Sequence, residues 1–97
     1  MKKIIYAGKE DGIYGFGEFI KFMSRINSEL IARRTTEYGE ISLDSAWIVR
    51  HTGIRVDYFY KGADEEGPVT VLVTGKLEKI TEFENAVLKE HQKLKKP

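Results

Sequence analysis

Two arginines, Arg50 and Arg55, are the residues of this chain whose spacing first suggests a binding surface. They flank Thr52-Gly53 within an apolar stretch, residues 47–60, whose composition predicts a β-hairpin. A turn centred on Thr52-Gly53, with either a two-residue or a four-residue loop, sets Arg50 directly opposite Arg55. Like charges that face each other across two strands are unfavourable unless another group compensates them. The strand face that carries both arginines is therefore the candidate binding face.

The same register sorts the hairpin residues into two faces. Its other pairs are Val49 with Val56, Ile48 with Asp57, and Trp47 with Tyr58, so that Trp47, Val49, Val56 and Tyr58 form an apolar face. A three-residue loop would mix apolar and charged residues on both faces, and the hydrophobic pattern therefore favours the first register. With a further strand predicted at Val69–Thr74, the candidate binding residues are Ile48, Arg50, Arg55, Asp57, Phe59 and Leu72.

This set of residues favours a protein interface. Aromatic and aliphatic side chains with arginine at the rim have the composition of an interface core. We therefore expect a small non-enzymatic binding or regulatory protein that meets a protein partner or forms a homo-oligomer. In a two-fold dimer, Asp57 of the second copy would supply the acid that the arginines lack. The simpler alternative is a solvated face on which Asp57 pairs with an arginine.

Two further functions use the same arginines. A single-stranded nucleic acid could stack its bases on Phe59 and Tyr6 while the arginines bind phosphates. A metal-independent nuclease would add a tyrosine such as Tyr58 or Tyr60. Because the favoured register places these tyrosines on the apolar face, away from the arginines, the nuclease is the weaker hypothesis.

The other chemically capable residues lack the spacing of a known site. His51 and His91 have no partner at the spacing of metal ligands. The acidic run 64–66 is typical of a solvated loop. The four glycines between residues 8 and 17 match neither phosphate-binding motif and predict a tight or flexible connection. We therefore expect neither a metal nor a cofactor.

Composition limits the compartment and the partners. The 97 residues include no cysteine, which excludes disulfides and cysteine-ligated metals. Lys+Arg 16 against Asp+Glu 15 leaves a net charge of +1, which gives no overall field to attract nucleic acid or anionic lipid. The apolar run at residues 4–6 is too short for a signal peptide. We expect one domain, residues 1–97, in a cytoplasmic protein that does not enter a membrane.

Periodicity predicts six elements in the order β-α-β-β-β-α. The strands are expected at residues 4–7, 45–50, 54–60 and 69–74, and the first helix from about Phe16 to Arg34. A capping box with Thr81 as N-cap and Glu84 three residues later predicts the start of the second helix. Both helices need an apolar surface, which the face of Trp47 supplies. The predicted fold is α+β, a two-layer sandwich with a mainly antiparallel four-stranded sheet and two helices on one face.

Overall fold

The computed structural model describes residues 1–35, 42–61 and 69–95. A short 3-10 turn, Gly12–Tyr14, precedes the first helix. The helices are α1 (Phe16–Arg25) and α2 (Leu77–Lys95), and the strands are β1 (Lys2–Gly8), β2 (Ser28–Thr35), β3 (Ser42–Val49), β4 (Arg55–Lys61) and β5 (Val69–Thr74). The described residues thus contain five strands, one more than predicted.

The five strands form one antiparallel sheet in the order β1-β5-β4-β3-β2. Strands β2 to β5 follow one another as neighbours, whereas β1 pairs with β5 at the far side of the sheet. Helix α1 therefore carries the chain from one edge strand to the other. The predicted α+β architecture, with helices packed on a mainly antiparallel sheet, is confirmed.

The core lies between the helices and the sheet face of Trp47. Trp47 and Tyr58 are buried there, as predicted, and the Trp47 indole donates a hydrogen bond to the buried Ser45 hydroxyl at 3.2 Å. The helices contribute Phe19, Phe22, Met23, Ile80, Phe83 and Val87, and the sheet adds Val49, Val56, Val69, Val71 and Val73. The alternation of buried and half-buried residues along β5 places its three valines toward the helices.

The first helix ends nine residues earlier than predicted. Asn27 follows α1 in a left-handed conformation, φ 58°, which breaks the helical hydrogen-bond ladder. Its carbonyl accepts a hydrogen bond from the Arg50 amide at 3.1 Å, which directs the chain onto β3. Residues 28–35 then pair along β3 as strand β2, although their leucine, alanine and arginines favour a helix. Pairing with a neighbouring strand overrides local propensity here.

The hairpin between β3 and β4 is shifted by two residues from the predicted register. Ile48 lies opposite Arg55 and Trp47 lies opposite Val56, around a four-residue turn, residues 50–53. Val49 closes this turn through backbone hydrogen bonds with Gly53 and Ile54. Because side chains alternate with a period of two, a slip of two residues keeps every residue that stays in β3 or β4 on its predicted face. The faces were therefore predicted correctly, but the pairing of Arg50 with Arg55 was wrong.

The second helix begins before Thr81. The Lys76 carbonyl accepts hydrogen bonds from the amides of Lys79 and Ile80, and the Thr81 hydroxyl donates to the Leu77 carbonyl within the helix. Thr81 is therefore not an N-cap, and the capping-box prediction was wrong. Ile80 is fully buried, so the apolar stripe of α2 already starts in its first turn. In the described part of the chain, neither helix has a stretch long and apolar enough to cross a bilayer.

Candidate functional site

The sheet face opposite the helices collects five of the six predicted binding residues. The register sets Ile48 beside Arg55 and Asp57 beside Leu72, with Phe59 two residues further along β4. We call this surface the open face, and its described members are Lys2, Ile4, Ala7, Glu29, Ala32, Ala46, Ile48, Arg55, Asp57, Phe59, Thr70, Leu72 and Thr74. In the described ranges, no helix or strand packs over it.

Arg50 is the predicted binding residue that the structure places elsewhere. It lies in the turn after β3, where its guanidinium Nη2 is 3.7 Å from Glu29 Oε2. Both side chains are largely exposed, and such ion pairs contribute little to stability. Arg50 therefore neither faces Arg55 nor lacks an acid, which removes the charge clash on which the prediction rested.

Arg55 and Asp57 form the polar centre of the open face. They are neighbours on one side of β4, and Arg55 Nε lies 3.2 Å and 3.3 Å from the two carboxylate oxygens of Asp57. Only 15% of the Asp57 side chain is exposed, although none of the described helices and strands packs over it. The carboxylate is thus screened by its own arginine, as in the solvated-face alternative considered from the sequence.

The apolar members of the open face remain accessible. Ile4 is 58% exposed and Phe59 is 38% exposed, while Ile48 and Leu72 are half-buried. Ala46 is buried between Ala32 of β2 and Asp57 of β4. A contacting surface would therefore meet two exposed hydrophobic side chains, Ile4 and Phe59, and an ion pair of which only the carboxylate is largely buried.

Tyr6, Tyr14 and Tyr58 lie on the helix side of the sheet. Tyr6 stacks on Tyr14 with ring centroids 3.6 Å apart, so it cannot share a nucleic-acid stacking platform with Phe59. Tyr58 is fully buried, and its hydroxyl donates a hydrogen bond to the Tyr14 carbonyl at 2.8 Å. A nuclease that combines Tyr58 with the arginines is thus opposed by this geometry. The side chain of Tyr60 lies outside the described residues.

A second group of polar side chains surrounds the loop after β1, and it was not predicted from the sequence. His91 of α2 packs near Tyr14, and its Nδ1 accepts a hydrogen bond from the Ile13 amide at 3.3 Å. Lys95 Nζ lies 2.6 Å from Asp11 Oδ1, which fastens the end of α2 to the same loop. The two partners in each of these contacts are about eighty residues apart in sequence, so no local motif could have indicated them.

The titration of this loop cluster favours packing over catalysis. Burial raises the pKa of the Tyr6 phenol; Asp11 adds to the rise and Lys95 opposes it. Burial also raises the pKa of Tyr14. The hydrogen bond from Lys95 lowers the pKa of the Asp11 carboxyl. At neutral pH both phenols therefore stay protonated and are poor nucleophiles and poor bases.

The remaining residues considered from the sequence have structural surroundings. His51 Nε2 lies 2.9 Å from Asn27 Nδ2, beside the turn that follows β3. The glycine-rich connection is the tight 3-10 turn, in which Gly12 has a φ of 54°. Within residues 1–35, 42–61 and 69–95, no group of three metal-ligating side chains converges. The acidic run 64–66 lies outside the described residues.

The chain was compared with protein-family models, with curated proteins and with solved structures. No family model matches it, and neither a curated protein nor a solved structure matches it.

Proposed function

We propose that this protein is a small non-enzymatic binding module that associates with a second copy of itself through the open face. The carrying observation is that, among the described residues, no element covers this face while Ile4 and Phe59 protrude from it. Exposed apolar groups around a few polar ones are typical of protein interfaces. Two antiparallel sheets that pack face to face, about 10 Å apart, would bury them.

The area of the open face is sufficient for such a pairing. Five strands spaced about 4.8 Å apart give a width of about 24 Å, and six residues along each strand give about 20 Å. Each copy would therefore contribute about 500 Å² of projected area, and the pair would bury about 1,000 Å² or more. That value is close to the minimum for a biological interface and is typical of weak, reversible association.

The charges on the open face support a partner of the same kind. Lys2 and Arg55 balance Glu29 and Asp57 among its described members, and the chain carries a net charge of only +1. Two copies would therefore approach without strong repulsion. A nucleic acid would instead meet Arg50 and Arg55 beside carboxylates that compete for them. This argues for a protein surface as the occupant.

The Arg55–Asp57 pair is suited to an interface. A buried carboxylate is costly unless it is paired and hydrogen-bonded. Arg55 already contacts both oxygens of Asp57, so the acid does not have to find a new partner when solvent is excluded. The apolar neighbours Ile4 and Phe59 then supply burial worth about 25 cal/mol per Å².

Sedimentation velocity over a range of concentrations tests the proposal. The unmodified chain is expected to dimerise in the micromolar range, and Phe59→Asp to remain monomeric because it buries an unpaired carboxylate. Leu88→Asp is the matched control, since Leu88 is 43% exposed on α2 and lies away from the sheet. It should dimerise normally. A folded, unmodified chain that stays monomeric at several hundred micromolar would overturn self-association.

The nucleic-acid alternative predicts a different result in the same samples. A labelled single-stranded oligonucleotide would bind the unmodified monomer, and both Phe59→Ala and Arg55→Ala would weaken that binding. Only the arginine change would reduce its salt dependence. This outcome would replace the second copy with a nucleic acid as the occupant of the open face.

A further inference from the structure

His91 of α2 holds the loop after β1 through one backbone hydrogen bond. The Ile13 amide donates to His91 Nδ1 at 3.3 Å. Ile13 is fully buried and lies in the 3-10 turn, where the first amides have no acceptor within the turn itself. The half-buried imidazole supplies that acceptor from 78 residues away. Loss of the acceptor would leave a backbone donor buried away from water, which is destabilising.

The direction of this hydrogen bond determines where the ring carries its proton. A ring nitrogen that accepts a hydrogen bond bears no proton, so the neutral imidazole of His91 is protonated on Nε2. When the imidazole takes up a second proton, both nitrogens are donors, and Nδ1–H then faces the Ile13 N–H. The ring also packs directly on Gly12, where even a Cβ atom would overlap it. The charged ring therefore has to turn away from the Ile13 amide.

An acid in the same loop can bind the charged form of the ring. The Asp11 side chain is 47% exposed and pairs with Lys95 at 2.6 Å. The hydrogen bond from Lys95 lowers the pKa of the Asp11 carboxyl, and the charge of His91 lowers it further. Asp11 is therefore ionised between about pH 5 and 8, the range in which an imidazole ordinarily changes charge. Its two carboxylate oxygens can accept hydrogen bonds from both cations.

The other titratable groups around His91 stay neutral or have partners of their own. Tyr14 has its ring centroid 5.2 Å from that of His91, and Tyr6 stacks behind it. Burial raises the pKa of both phenols, so they remain protonated. The acids of the loop and of α2 that have other partners are Glu10 with the Phe16 amide, Glu84 with Lys3, and Glu90 with Arg25. Among the described residues, this leaves Asp11 as the acid available to a charged His91.

We propose that His91 is a pH-sensitive switch: the neutral imidazole holds the 3-10 turn against α2, and the protonated imidazole releases the Ile13 amide and pairs with Asp11. A modest acidification is sufficient, because the imidazole is the side chain that ordinarily changes charge near neutral pH. The change is confined to the start of the turn, since the Tyr14 carbonyl still accepts a hydrogen bond from the buried Tyr58 hydroxyl at 2.8 Å. The switch does not depend on self-association, because Ile13 and Tyr14 belong to the core on the helix side of the sheet.

NMR of the ¹⁵N-labelled protein tests the switch directly. At about pH 8 the His91 ring should carry its proton on Nε2 and none on Nδ1. On acidification to about pH 5, the protection of the Ile13 amide against hydrogen exchange should fall about two- to tenfold, the scale of one hydrogen bond. The amide of Val56, a fully buried residue of β4, is the internal reference and should keep its protection. A proton on Nδ1 at the higher pH, constant protection of Ile13, or an equal loss at both amides would overturn the switch.

Matched variants identify the group that is responsible. His91→Asn places an amide oxygen close to the position of Nδ1, so Ile13 should stay protected at both pH values and the pH dependence should disappear. Asp11→Asn removes the partner of the charged ring, and the change should then require a lower pH. His51→Asn, at the exposed histidine beside Asn27, is the control and should leave the pH dependence unchanged. Persistent pH dependence in His91→Asn, or its loss in His51→Asn, would overturn the assignment to His91. If His91→Asn does not fold, the ring protonation of the unmodified protein still decides.

Discussion

The residue type that position 12 can accept is limited by a distant residue, His91. A Cβ atom at position 12 would overlap His91 Nδ1, the atom that accepts the Ile13 amide hydrogen bond. The φ of 54° at Gly12 would also strain any L side chain. Both the ring contact and the backbone conformation therefore require glycine there.

Gly12→Ala should lower the free energy of unfolding by about 1–3 kcal/mol, from backbone strain and from displacement of the His91 ring. Gly17→Ala is the contrasting variant, because Gly17 lies in the first turn of α1 with nothing near its Cβ position. It should stabilise the protein by about 0.5–1 kcal/mol. Urea denaturation measures both. If both substitutions changed the free energy of unfolding in the same direction, the requirement for glycine at position 12 would be contradicted.

Tyr14 should make the protein sensitive to alkali. Its pKa in the folded protein is raised above the ordinary value of 10.0. A raised pKa contributes stability that is fully present below pH 10 and is lost as the pH rises through the folded pKa. The melting temperature of the unmodified protein should therefore fall above about pH 10, and that of Tyr14→Phe should fall less steeply. Parallel pH profiles for the two proteins would exclude this contribution.

Among the secondary-structure elements, the boundary between α1 and β2 depends on Asn27. Its left-handed conformation ends the helix, and its carbonyl and side chain both contact the turn after β3. That single position sets the direction of the chain toward the second edge of the sheet.

A pair of substitutions isolates the conformational part of this role. Asn27→Gly and Asn27→Ala both remove the side-chain contact with His51, but only alanine is strained at a φ of 58°. Asn27→Ala should therefore be less stable than Asn27→Gly by about 1 kcal/mol, the scale of the left-handed penalty. Equal stabilities in a urea titration would show that the conformation is not what matters at this position.

The limits of sequence prediction follow from the same elements. The alternating valines of β5 and the apolar face of Trp47 determined which side of the sheet packs on the helices. The hairpin register was not determined, because a shift of two residues preserves that alternation. Strand β2 was missed since its residues continue the helical period of α1, and only its pairing with β3 identifies it.

For the candidate site, too, the sequence predicted which residues share a face but not all of their partners. Five of the six residues share the open face because face assignment survives the register error. The pairing of Arg55 with Asp57 was among the alternatives considered from the sequence. The partner of Arg50 was not predictable, since Glu29 belonged to an expected helix. The contact of His91 with Ile13 was not predictable, because the two residues are 78 positions apart and only the fold brings them together.

For the whole molecule, the proposed dimer should respond weakly to salt. The charges of Arg55 and Asp57 are paired within each copy, so the interface depends mainly on apolar burial. We expect its dissociation constant to change by less than about threefold between 50 and 500 mM NaCl, because screening acts on exposed, unpaired charges. Sedimentation equilibrium at both salt concentrations measures this. A fall in affinity of a hundredfold would indicate an electrostatic interface instead.

The position of β1 has a consequence for how the chain folds. Strands β2 to β5 meet their partners through short-range contacts, but Ile4 must reach Leu72, on a strand made much later. Contacts between such distant residues form slowly because the closure of a long loop costs entropy. Until β1 arrives, the outer edge of β5 offers unpaired backbone groups to any other strand. During synthesis on the ribosome, the nascent chain must therefore keep its first strand available until its last strand has emerged, and delayed docking of β1 would favour aggregation.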